Sequence, residues 1–261
     1  MTLTAYVFIF AAVAVTIHSI FRKFVPADLL IEQHEVAGFL VSVVGVLYSV
    51  VLGFLVAAVW GGFTAAQQTT DLEAGYLSDA FNFAGQVREP SRERIQRLLA
   101  RYAIDVRDSD PAYAEHGAQD PRGLALLTQA VHATLAMPPA PPNATLGEAL
   151  DSNTIRTALI GSLRNVGDMR RIRLVQTQSH LPRVMYVSLL VGAAMVLAFA
   201  LFFGVRSYFK QMAMTALVAG AIGLFLGLVV ELSTPYAGTF TVSRDAWTFV
   251  IENNQLEKFA K

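Results

Sequence analysis

The chain has 261 residues, of which 54% are hydrophobic and only 15% charged, and its mean hydropathy of +0.47 is too high for an ordinary water-soluble domain. Its 20 basic and 20 acidic residues cancel, so no overall basic field exists to hold nucleic acid. The absence of cysteine removes disulfides, thiolate metal sites and cysteine nucleophiles together.

Four stretches fix the expected class, because a hydrocarbon layer of roughly 30 Å is crossed by about 20 apolar helical residues. They are residues 5–21, 36–63, 184–205 and 212–232, and none contains Lys, Arg or Asp. The first lacks the basic lead-in of a secretory signal, and the segment after it, Phe21-Arg22-Lys23-Phe24-Val25-Pro26, is no small-residue cleavage site. It therefore reads as a retained helix, with His18 an interfacial polar tip near its end. The second stretch is longer than a perpendicular crossing needs, so it should tilt or run on out of the membrane, with Trp60 marking the exit level. The fold class expected is all-α and integral to the membrane, with four transmembrane helices and a helical extramembrane insert between the second and third. The organisation reads as a first helix pair at 1–63, the insert at 64–183, a second pair at 184–232 and a C-terminal tail at 233–261.

The insert is punctuated by proline and by capping residues. Pro90-Ser91 ends one helical run and starts another, on which Arg94, Arg97 and Arg101 share a face. Residues 108–120 read as a loop closed by Asp120, an N-cap with Pro121 at the first helical position. The four prolines between Met137 and Asn143 impose an extended connector. Thr145 and Glu148 have capping-box spacing, and a long helix from there should run to Leu181, where Pro182 breaks it. These helices read as extensions of the spans and not as a separate globular fold.

Two small-residue stripes and one basic cluster are the candidate sites. On a wheel of 100° per residue, Gly38, Ser42, Gly45, Ser49 and Gly53 fall within about 80° on the second span. They serve either close helix packing or a pore wall, where hydroxyls and bare backbone substitute for water around an ion. Ala216, Gly220, Gly223 and Gly227 repeat the pattern on the fourth span and lead to Glu231, an acid that must face a bundle interior, water or the interface. Arg164, Arg170, Arg171, Arg173 and Arg183 concentrate charge ahead of the third span, either for lipid headgroups or as an anion-attracting vestibule. Asp105, Asp108 and Asp110 lack the glycine and distal glutamate of a calcium loop. No catalytic residue set, metal site or cofactor motif can be assembled from spacing, so the chain reads as no enzyme.

The stretches Arg22-Lys23-Phe24-Val25-Pro26, His34-Glu35-Val36-Ala37-Gly38-Phe39 and Gly45-Val46-Leu47-Tyr48-Ser49-Val50, with Trp60, resemble the bacterial bestrophin-like family. Arg170-Arg171-Ile172-Arg173-Leu174, Leu181-Pro182, Phe202-Phe203-Gly204 and Pro235-Tyr236-Ala237-Gly238 resemble that family's second block. The insert departs from it: in place of the family's Glu-Trp-Pro element, Tyr102-Ala103-Ile104-Asp105 leads into Asp108-Ser109-Asp110-Pro111. Bestrophins are pentameric anion channels whose second span lines the pore. The resemblance implies a homo-oligomeric channel in the cell's inner membrane, with membrane lipid, its own copies and inorganic ions, anions above all, as partners. The rival expectation is a non-conducting scaffold or regulator whose insert binds a partner. Orientation is contested by the sequence itself. The short loops with Arg22, Lys23, Arg206 and Lys210 point the insert out of the cell, whereas the arginines before the third span and the bestrophin resemblance point it in.

Overall fold

A computed structural model describes residues 2–26, 34–114, 116, 118, 120–139, 141–143, 145–178, 181–202 and 207–260. Among these residues there is no strand. The helices are α1 (Leu3–Phe24), α2 (His34–Gly85), α3 (Ser91–Asp108), α4 (Asp110–Ala114), α5 (Pro121–Leu135), α6 (Leu146–Gln178), α7 (Arg183–Leu201), α8 (Tyr208–Leu232) and α9 (Asp245–Asn253), followed by a 3-10 turn at Leu256–Lys258. Four of them are long and apolar enough to cross a membrane: α1, the first part of α2, α7 and α8. The second span does run on, as one helix of 52 residues. Residues 203–206, where the third span was expected to end, lie outside the described residues, as does Ala140 of the proline-rich connector.

The chain divides into two compact units. The first comprises residues 1–63, 180–234 and 238–240. Its core joins Leu52 and Val59 of α2 to Leu189, Ala193 and Val196 of α7 and to Ile222, Leu226, Val229 and Leu232 of α8. The opposite faces stay bare, with Phe8, Phe39, Leu47, Phe54, Phe209 and Leu217 all exposed. Such a surface suits lipid, against which apolar side chains lose nothing. Polar groups between the spans find each other. His18 is fully buried and its Nδ1 lies 2.9 Å from the Thr215 hydroxyl, while the Tyr208 hydroxyl donates to Ser19 Oγ over 2.9 Å. The reading of His18 as an interfacial tip is thereby corrected, because its ring turns toward α8 and takes a hydroxyl partner there.

The second unit comprises residues 64–179, 235–237 and 241–261. The end of α2, helices α3, α5 and α6, and the C-terminal α9 close around Leu77, Ile95, Leu99, Tyr102, Leu163, Trp247, Ile251 and Leu256. The insert is therefore more than an extension of the spans. It shares a hydrophobic core with the C-terminal segment, because α9 contributes an apolar face of Trp247, Val250 and Ile251. Helix starts follow the sequence signals. The Asp120 carboxylate accepts from Arg122 N–H at 2.9 Å with Pro121 at the first position. Thr145 N–H donates to Glu148 Oε2 at 2.8 Å while Glu148 N–H donates back to Thr145 Oγ1 at 3.3 Å, completing the capping box. Residues 108–120 are not all loop: α4 forms inside them, with Asp110 and Pro111 suited to a first turn.

Candidate functional site

The stripe on α2 is uncovered by its own chain. Ser42, Ser49 and Gly53 are exposed and Gly38 and Gly45 half-buried, and a Cβ built at Gly45 or Gly53 meets nothing within 4 Å beyond its own helix. Both hydroxyls turn back onto the helix, Ser42 Oγ donating to Gly38 O at 2.9 Å and Ser49 Oγ to Val46 O at 2.8 Å. That habit lets serine sit in an apolar layer without an unmet donor. Packing within one subunit therefore does not explain Gly45 and Gly53.

The α8 stripe is different, since it is a packing face against α1. A Cβ at Gly223 would lie 2.8 Å from Phe10 Cβ and 2.8 Å from the Tyr6 carbonyl, and one at Gly227 would lie 2.7 Å from the Tyr6 ring. At Gly220 the nearest atom is a Val7 methyl, 3.3 Å away. The missing side chains are what let the two backbones approach. Glu231, buried in the last turn of α8, accepts from Thr239 N–H at 3.0 Å. Its Oε2 also stands 3.2 Å from where a Gly238 Cβ would be, at a residue whose φ of +96° suits glycine. The carboxylate is thus spent on folding the turn after α8.

The five arginines do not form one group. Arg164 and Arg183 are exposed, and Arg171 is exposed beside Asp168 as its ion-pair partner. Arg170 and Arg173 are 3% and 6% exposed. The expectation that these two line a vestibule or meet lipid headgroups is corrected: they lie on the inward face of α6, in line with Leu159, Leu163, Val166 and Thr177.

What they build is a buried ionic network inside the second unit. Arg173 Nε lies 2.8 Å from Glu73 Oε2 on α2, and Arg173 Nη1 lies 2.6 Å from Asp110 Oδ2 on α4. Arg170 Nη1 stands 3.7 Å from the same Asp110 oxygen, and its Nη2 donates to the Asp120 carbonyl at 2.7 Å. Asp120 N–H in turn donates to Asp110 Oδ1 at 2.7 Å. The Tyr102 hydroxyl donates to Glu73 Oε1, and its ring lies 5.6 Å under the Arg170 guanidinium, within cation–π range. Burial raises the Tyr102 hydroxyl well above its ordinary pKa, and the Glu73 charge adds to this. Burial works to lower Arg173, yet Glu73 and Asp110 together hold it above its ordinary value. Two guanidinium and two carboxyl side chains thus face one another in the interior, the mutual pairing under which buried ions persist.

Beside the network, the Tyr236 hydroxyl lies 3.1 Å from the Ala66 carbonyl and 3.0 Å from Gln176 Oε1, while Gln176 Nε2 donates to Thr69 Oγ1 at 3.1 Å. Burial pushes Tyr236 up to about 12. Among the described residues no three His, Asp or Glu side chains converge on a place that would hold a metal ion. Glu73, Tyr102 and Asp110 were missed as members of a site. A signal existed: arginines at 170 and 173 interrupt an otherwise apolar 4-3 stripe on α6, which demands buried partners.

Four apolar spans, with exposed apolar side chains on α1, α2, α7 and α8, define an integral membrane protein. The chain belongs to the Bestrophin-like family, whose domain profile matches residues 8–247. No curated protein sequence matches it. Among solved structures it is similar to a bacterial bestrophin homologue from Klebsiella pneumoniae, at 12% identity and a TM-score of 0.65 over 96% of this chain and 98% of that one. A point variant of the Klebsiella pneumoniae homologue matches at 12% identity and a TM-score of 0.67 over 98% and 99%. A crystal structure described only as a membrane protein matches at 14% identity and 0.68 over 98% of both chains. These likenesses show a shared fold.

Proposed function

We propose that the chain is one subunit of a homo-oligomeric ion channel, that α2 lines its pore, and that the pore conducts anions. Family membership supports an ion channel. The observation that carries the pore assignment is the bareness of α2: only 6% of its most apolar stretch is buried by its own chain, against 44% for α8. A helix left so uncovered meets lipid, a second subunit or water, and its stripe from Gly38 to Gly53 is the face least suited to lipid and best suited to the other two. One four-span subunit encloses no pathway, so a ring of copies is required. Anion preference follows from the likeness to bestrophins. The buried Arg170 and Arg173 add nothing to it, because both are compensated by carboxylates.

The test is reconstitution into sealed liposomes with an ion-flux assay, alongside light scattering of the protein in detergent. A ring-sized particle with anion flux is expected. A particle of one subunit sinks the channel, and a sealed ring without flux favours a non-conducting scaffold.

A further inference from the structure

We propose that the Glu73–Arg173–Asp110–Arg170 chain of ion pairs is a releasable latch, in which Asp110 on the short helix α4 keeps α6 held to the extension of α2. Its effect on conduction rests on the channel reading above; the latch itself does not.

Three observations carry it. The first is how α4 is attached. Of its residues, Asp110, Ala112 and Tyr113 stand outside the hydrophobic core of the second unit, whereas α2, α3, α5, α6 and α9 all contribute to that core. Asp110 is instead held by polar contacts: two guanidiniums on one oxygen and the Asp120 N–H on the other. Elements with few buried apolar contacts open at low free energy while the core stays closed. The second is what Asp110 completes. With Glu73 it faces Arg170 and Arg173, and its loss takes one carboxylate from between two buried guanidiniums, a change that draws water in or parts α6 from α2. The third is the chemistry of the seam. Where α6 meets α2 at this level the described contacts are Arg173 to Glu73 and Gln176 to Thr69, with Tyr102 and Tyr236 joining through hydroxyls. The buried residues of α6 between 170 and 178 are Arg170, Arg173 and Thr177. A seam of this kind exchanges protein partners for water far more readily than a seam of leucines would.

Glu73 and the stripe from Gly38 to Gly53 lie on one unbroken helix, and Arg173 lies five residues before the end of α6. Opening the latch therefore frees the helix that carries the pore face from the helix that precedes the third span, a two-state change of the kind that gates.

The absence of cysteine makes the test direct. One engineered pair, Thr69→Cys with Gln176→Cys, bridged by a short bifunctional thiol reagent because cysteine is shorter than the glutamine it replaces, reports the seam, where the native side chains are 3.1 Å apart. A control pair, Ser78→Cys with Asn254→Cys, reports the core contact of α2 with the C-terminal segment, where they are 2.9 Å apart. Asp110→Asn should slow cross-linking of the seam pair by about tenfold or more, the effect of removing one charge from a buried ionic network, and leave the control pair, bridged by the same reagent, unchanged. Adding Arg170→Gln rebalances the charges and should restore the seam rate, which also answers for an Asp110→Asn chain that fails to fold. Equal slowing of both pairs, no slowing of either, or no rescue by the second substitution each overturns the latch. In liposomes, Asp110→Asn should alter flux and the double variant return it; unaltered flux in a conducting protein overturns the gating role. Seam opening in a protein that never conducts upholds the latch and fells the channel reading instead.

Discussion

The Arg173 guanidinium holds both oxygens of the Glu73 carboxylate, one at 2.8 Å and one at 3.2 Å, across 100 residues of chain. One arm is a charge-assisted hydrogen bond and the other an ion-pair contact, so the two buried groups are tied at two points. Breaking it should therefore hurt more than deleting it. Glu73→Gln is expected to destabilise the second unit by about 3–5 kcal/mol, and the double variant with Arg173→Gln by clearly less. Thermal unfolding in detergent measures both, and equal losses would mean that the pair is not a unit.

The two glycine stripes should part company on substitution. Gly223→Val forces a side chain onto Phe10 Cβ and the Tyr6 carbonyl, the second of which is backbone and cannot turn aside, so a loss of about 1–3 kcal/mol is expected. Gly45→Leu meets nothing in its own chain, so the subunit should fold with an unchanged melting temperature and fail instead in assembly or in flux. Light scattering, melting and liposome flux on the two variants separate these outcomes, and a Gly45→Leu protein that assembles and conducts normally removes the stripe from the pathway.

Asp105 sets a pH dependence whose sign can be worked out. Burial raises its pKa, and the Asp120 and Asp110 charges raise it further, against Arg170 and Arg122. The fold thus binds the proton more tightly than the unfolded chain does, so this group's contribution to stability declines as pH climbs from its ordinary value through its raised one. Asp105→Asn cannot ionise. It should melt higher than the parent at neutral pH, with the advantage shrinking as pH falls to the ordinary carboxylate range. An advantage that grows on acidification would reverse the assignment.

Orientation is settled by thiol labelling. The short-loop count places the insert outside the cell, so a membrane-impermeant reagent on intact cells should label Pro142→Cys and spare Pro26→Cys, two exposed positions in a chain with no cysteine of its own. The opposite pattern would show that the arginines ahead of the third span governed insertion.

The spans and the helix boundaries of the insert were legible because their causes are local: twenty apolar residues, a proline, or a threonine three residues before a glutamate each act within a turn or two. The family likeness was legible for the same reason. The ionic network was not, since Glu73 and Arg173 become neighbours only after α2 and α6 have folded and packed. Arg170 and Arg173 illustrate the misreading: in the sequence they join Arg164, Arg171 and Arg183 in a basic cluster, whereas the helical repeat of α6 turns these two inward and leaves Arg164 and Arg171 out, and Arg183 belongs to α7. The C-terminal segment misled likewise, because Trp247, Val250 and Ile251 are too few to announce a core unless Tyr102 and Leu99 are already in place.

At 1.5 Å per residue the 52 residues of α2 extend about 78 Å, well over twice the hydrocarbon thickness. The adjacent glycines Gly61 and Gly62 near its middle are the weakest point of the rod, each less favourable than alanine in a helix by about 1 kcal/mol. Alanine at both would strengthen the helix by up to about 2 kcal/mol, since a Cβ at either position meets nothing within 4 Å beyond the helix itself.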